Sequence, residues 1–132
     1  MATTVPLSRP LAPSTRAELS RRLAGLREVT LARADRHRAA AESLTADLDL
    51  SDLLDQEFPM SGSLEVERDR DLMLAERADR RVAETEEALA RLVSGRYGVC
   101  ERCGTAIAVA RLRAVPETTR CVDCADPHRR RR

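Results

Sequence analysis

The chain has 132 residues, with 22 acidic and 23 basic side chains, four Cys, one Tyr, one Phe and no Trp, a size that admits one domain at most. Of its hydrophobic residues 20 are Ala and only Ile107 is isoleucine, so large apolar side chains are scarce. That composition disfavours a thick globular core or a sheet sandwich and suits long helices that bury a narrow seam. Every basic residue is Arg, which a G+C-rich coding bias explains as well as any need for guanidinium contacts.

Residues 1–14 contain three Pro with Ser and Thr and little to bury, and read as a flexible leader. No secretory apolar stretch opens the chain and no later run approaches membrane-spanning length, so a soluble, cytoplasmic protein is expected. Thr15 and Glu18 fit a capping box that starts a helix. Leu19, Leu23, Leu26, Thr30, Ala34 and His37 then recur at steps of three and four, and Ala41, Leu44 and Leu48 continue the stripe. His37 reads as a tolerated seam histidine, with no carboxylate or Cys cluster beside it.

Around Phe58, Pro59 and Gly62 the pattern stops, which marks a turn. Ser63, followed by Glu65 and Glu67, makes a second helix N-terminus. Leu72, Ala75, Ala78, Val82, Thr85, Leu89 and Leu92 form the second stripe, which Ser94 and Gly95 end. Two helices apolar on one stripe each are expected to fold back as an antiparallel coiled-coil hairpin over residues 15–95. A monomer is the primary expectation, with a homodimer through the same stripes as the alternative.

Charge is segregated along the chain. Residues 15–40 carry seven Arg against three acids, or plus 4, whereas residues 41–60 carry six acids and no Arg, or minus 6. Residues 61–95 sum to minus 3 and residues 96–132 to plus 5. The hairpin is thus expected to hold an acidic tip near residues 50–63, with the chain ends at its base.

Cys100, Cys103, Cys121 and Cys124 form C-x2-C-x17-C-x2-C. Each pair can chelate through two thiolates on one tight turn, and the long loop lets the second pair complete a tetrahedron around one Zn²⁺. Gly104 suits a knuckle turn that needs positive φ. Four thiolates leave no open position for water, so the zinc is structural and holds together a small ribbon over residues 96–125. Disulfides or a redox Cys-x-x-Cys are the competing readings in a compartment where thiols stay reduced.

The stretch Gly95, Tyr97, Gly98, Cys100, Cys103 and Gly104, followed by Ile107, Arg111, Leu112, Pro116, Cys121 and Cys124, resembles the zinc finger of the DksA/TraR family. That resemblance covers about residues 64–125. It implies a non-catalytic transcription regulator that binds bacterial RNA polymerase, with the coiled-coil tip entering the secondary channel and the zinc end on its rim. Fields of opposite sign steer such an approach. Asp52, Asp55 and Glu57 are the candidate tip residues. Here the sequence departs from the family: counted back from Cys100, its D-x-x-D-x-A tip pattern falls on Glu57, Met60 and Gly62. Val115 and Glu84 stand where the family has basic residues, so coupling to ppGpp is not expected.

A zinc-ribbon DNA-binding protein using Arg111, Arg113, Arg120 and the basic tail at residues 126–132 is the alternative, as is a dimeric structural adaptor. Salt-dependent duplex binding would mark the first. Enzymatic activity is not expected, because the metal is saturated and no phosphate loop or nucleophilic set is present.

Overall fold

The computed structural model describes residues 10–54 and 61–126. Its elements in chain order are α1 (Pro13–Leu53), α2 (Ser61–Val93), α3 (Val109–Ala114) and α4 (Val122–Ala125). No strand occurs among the described residues; the one β pairing is an isolated antiparallel bridge, Val99 with Ala106. The chain divides into two compact units, Met1–Arg27 with Ala83–Arg132, and Glu28–Val82.

Unit Glu28–Val82 is helix on helix. Its seam is built from Thr30, Ala34, Ala41 and Leu48 of α1 and Ala75, Ala78 and Val82 of α2, all buried. The alanines let the backbones approach closely, but each removes little apolar area from water, so burial per turn is modest. Polar pairs supplement it. His37 Nδ1 lies 2.8 Å from Asp71 Oδ1 on the facing helix, with both side chains about one quarter exposed. Arg38 reaches Asp79 across the seam and Asp35 along its own helix.

The seam departs from expectation at two points. Leu72 is 45% exposed, because steps of four and three back from Ala75 place Asp71 and Arg68, not Leu72, on the inner face. His37 is accordingly not partnerless: Asp71 meets it where the sequence pattern offered an apolar residue.

In the unit Met1–Arg27 with Ala83–Arg132, the helices run antiparallel, with Arg16 on the Leu92 carbonyl and Arg27 paired with Glu86 at 2.8 Å. Here the larger side chains concentrate. Leu19, Leu23, Ala88, Leu92, Tyr97 and Cys100 form one buried cluster with Ile107 and Leu112, and Leu11, Leu89, Cys121 and Cys124 pack on it.

Both helices begin two residues earlier than the sequence indicated. Pro13 opens α1, its fixed φ being pre-set for a first helical position that needs no N–H donor, and the Ala12 carbonyl accepts the Arg16 N–H at 2.9 Å. Thr15 therefore lies inside the first turn and no capping box forms; the Glu18 carboxylate is instead clasped by Arg113 at 3.0 and 3.2 Å. The leader reading fails for residues 10–14, since Leu11 is part of the packed cluster; residues 1–9 lie outside the described residues. Helix α2 starts at Ser61 rather than after Ser63. Weak helix formers are tolerated there because the first turn has no intrahelical N–H bonds to lose. Phe58, Pro59 and the rest of the expected turn before Ser61 lie outside the described residues.

Gly95 ends α2 as expected. Its φ is +74°, the Arg96 N–H returns to the Arg91 carbonyl at 2.9 Å, and the Gly95 N–H reaches the Leu92 carbonyl at 3.3 Å. These two bonds make a Schellman motif, which satisfies carbonyls the helix end leaves free.

Candidate metal centre

Two short turns present the four sulfurs. In the first, the Cys100 N–H donates to the Thr105 carbonyl and the Ile107 N–H to the Gly98 carbonyl, each at 2.8 Å. The Gly104 N–H closes the turn on the Cys100 carbonyl at 2.9 Å, and Gly104 has φ +72°, as the knuckle required. In the second, Cys121 is the N-cap of α4, and the Cys124 and Ala125 N–H groups donate to its carbonyl. The Glu101 N–H joins the two turns through the Thr119 carbonyl at 2.9 Å. An Arg120 to Glu101 bond of 2.7 Å spans the same gap.

The sulfurs of Cys100, Cys103, Cys121 and Cys124 all lie within 4.8 Å of one another, and none is in a disulfide. Cys103 Sγ and Cys121 Sγ are 3.7 Å apart. A disulfide needs about 2.05 Å, whereas a zinc tetrahedron with Zn–S bonds of about 2.3 Å has edges of about 3.8 Å. The donor set therefore fits one tetrahedral zinc.

The local electrostatics favour thiolates. Burial pushes the Cys100 thiol up, but the backbone N–H groups of Cys121, Cys103 and Arg102 outweigh it, leaving the group at about 6. The Thr105 hydroxyl, 3.0 Å from Cys103 Sγ, heads the contacts that lower the Cys103 thiol. Thr105 could not be picked out from sequence, because its role depends on the turn that folds it back.

The loop between the Cys pairs is held from within. Arg111 donates to the Arg120 carbonyl at 3.0 Å, Arg113 to Glu18, and Arg120 to Glu101. All three arginines of the DNA-binding alternative are thus engaged inside the protein; the terminal Arg run lies outside the described residues. The Tyr97 hydroxyl donates to the Pro116 carbonyl at 2.7 Å. Burial, with a smaller effect of Glu117, pushes its pKa up to about 12.

Of the tip candidates, Asp52 is exposed in the last turn of α1. Asp55 and Glu57 lie outside the described residues, so the three are not shown as a group.

Residues 95–130 match the family described as the prokaryotic dksA/traR C4-type zinc finger. The chain is 36% identical over 69 residues to a Caulobacter vibrioides protein named RNA polymerase-binding transcription factor DksA, covering 52% of this chain and 49% of that one. Its structure resembles transcription factor DksA2 from Pseudomonas aeruginosa, with a TM-score of 0.51, 28% identity, and coverage of 83% of this chain and 84% of the other. The chain's C-terminal segment is a dksA/traR-type C4 zinc finger. An uncharacterized protein of Aquifex aeolicus is 46% identical over 43 residues, covering 33% of this chain and 30% of its own length. The chain spans about half the length of the Caulobacter relative it matches.

Within this zinc finger, Gly98 is closely packed. Its φ is +83°, and a Cβ there would stand 3.1 Å from Leu11 Cδ1. Gly98→Ala is expected to lower stability by about 1 to 2 kcal/mol through the left-handed backbone alone. Gly62→Ala, in a helix with nothing within 4 Å, is expected to raise it by about 0.4 to 1 kcal/mol. Thermal melts of the two variants check the opposite signs.

Proposed function

We propose that this chain is a non-catalytic transcription regulator that binds bacterial RNA polymerase, its acidic tip, with Asp52, Asp55 and Glu57, entering the secondary channel. The observation that carries the reading is the 36% identity over 69 residues to a protein named as an RNA polymerase-binding transcription factor. Two features support it. The four clustered sulfurs form a closed set that would fill the coordination of one tetrahedral zinc and leave no open position for catalysis. The segment from 41 to 60 carries six acids and no Arg, a charge suited to a basic, metal-containing cavity. Among the described residues no helix is long and apolar enough to cross a membrane.

The test compares the intact chain with one whose residues 50–63 are replaced by a short neutral turn. Both are expected to retain core polymerase in a pull-down, and only the intact chain to alter transcription. A crosslinker at position 57 is expected to reach the channel interior. Failure to retain polymerase would overturn the reading, and crosslinks confined to the outer surface would overturn insertion.

A further inference from the structure

Helix α1 carries a second stripe that flanks the seam, about 100° round the helix from it. Its first half is Val29, Arg33, Arg36 and Ala40, and its second half is Ser43, Asp47, Leu50 and Leu54, at alternating steps of four and three throughout. Such spacing keeps one line along a helix. The Leu54 N–H still donates to the Leu50 carbonyl at 3.1 Å, one residue past the helix end. Val29 is 57% exposed, and Leu50 and Leu54 are each 55% exposed. Arg33, Arg36, Ser43 and Asp47 are exposed as well, and Ala40 is half-buried. Among the described residues Arg33, Arg36 and Asp47 have no ion-pair partner, whereas Arg38 on the other flank takes both Asp35 and Asp79.

The stripe reads as its own complement when reversed. Laid antiparallel on a second copy, Val29 meets Leu54, Arg33 meets Leu50, Arg36 meets Asp47 and Ala40 meets Ser43. Apolar ends face apolar ends, and the aliphatic stem of Arg33 covers a leucine. Opposite charges meet at Arg36 and Asp47, and the smallest pair stands at the centre, where the helices come closest. Every contact occurs twice about a two-fold axis, as an isologous interface requires. From Val29 to Leu54 the stripe runs about 38 Å at 1.5 Å per residue.

We infer that this face of α1 is a docking surface for a second copy of the chain, forming an antiparallel two-fold dimer centred between Ala40 and Ser43. This is a different surface from the buried seam, so each copy keeps its own hairpin contacts. Where the proposed function holds, on which this consequence rests, the dimer covers the end of α1 that leads into the tip and withholds it from polymerase.

Sedimentation equilibrium of the zinc-loaded full chain tests the surface without polymerase, so its outcome is separable from the functional reading. The chain is expected to dimerise reversibly, more weakly at high salt. Arg36→Asp and Asp47→Arg each place like charges opposite one another twice, and each is expected to weaken the dimer at least about ten-fold. The double variant Arg36→Asp/Asp47→Arg restores opposite charges and is expected to dimerise again, as is an equimolar mixture of the two single variants. Circular dichroism on the same samples is expected to show unchanged helicity. A chain monomeric at every concentration, a dimer that neither single variant weakens, or a double variant that stays monomeric would each overturn the inference.

Discussion

Cys100→Ser is expected to abolish stoichiometric zinc binding and to unfold the segment after Gly95 while α1 and most of α2 stay helical. Cys100 is the most buried of the four clustered cysteines, at 2% exposed, and a serine hydroxyl is a poor replacement for a thiolate on zinc. The segment has little else to hold it. Its helices have six and four residues, far short of the length at which a helix is stable by itself. Zinc in small domains of this kind contributes roughly 10 to 16 kcal/mol, more than any other single interaction available here. Chelation of the native protein should have the same effect. Metal analysis after dialysis, with amide hydrogen exchange across residues 96–126, reads both outcomes. Retained protection in a zinc-free sample would show that packing alone suffices.

Leu112→Ala is the second large effect. Leu112 is fully buried in α3, against a cluster that includes Leu19 and Leu23 of α1 and Leu92 of α2. Truncation to Ala removes apolar burial and leaves a cavity, for a cost of about 2 to 5 kcal/mol. The same change at Val115, which is 39% exposed, should stay within about 0.5 kcal/mol. A chemical-denaturation midpoint that moves no further for Leu112→Ala than for Val115→Ala would mean the site collapses around the loss.

The contrast between these positions indicates what a sequence can disclose. The clustering of the four thiols was legible because a tetrahedral thiolate site dictates residue type and spacing, and Gly104 and Gly95 because positive φ admits few other residues. The helices were legible from their stripes, yet the stripe of α2 was misread at Leu72. Hydropathy prefers leucine to aspartate on an inner face, and only the facing His37 explains why Asp71 is there. The capping box was a local pattern overridden by a tertiary contact, since Glu18 turns to Arg113, which is 95 residues away in the chain. Leu11 was assigned to the leader for the same reason: its partners come from the far end of the sequence.

One buried hydroxyl has a practical use. Tyr97 is the sole tyrosine in a chain without tryptophan, and its ring lies in the cluster around the metal ligands. Ultraviolet emission from the unlabelled protein therefore comes almost wholly from one ring in the finger, with Phe58 the one other, far weaker, aromatic emitter. Intrinsic fluorescence and far-ultraviolet helicity will report separate events in a single cuvette, and the interval between them measures how loosely finger and coiled coil are coupled.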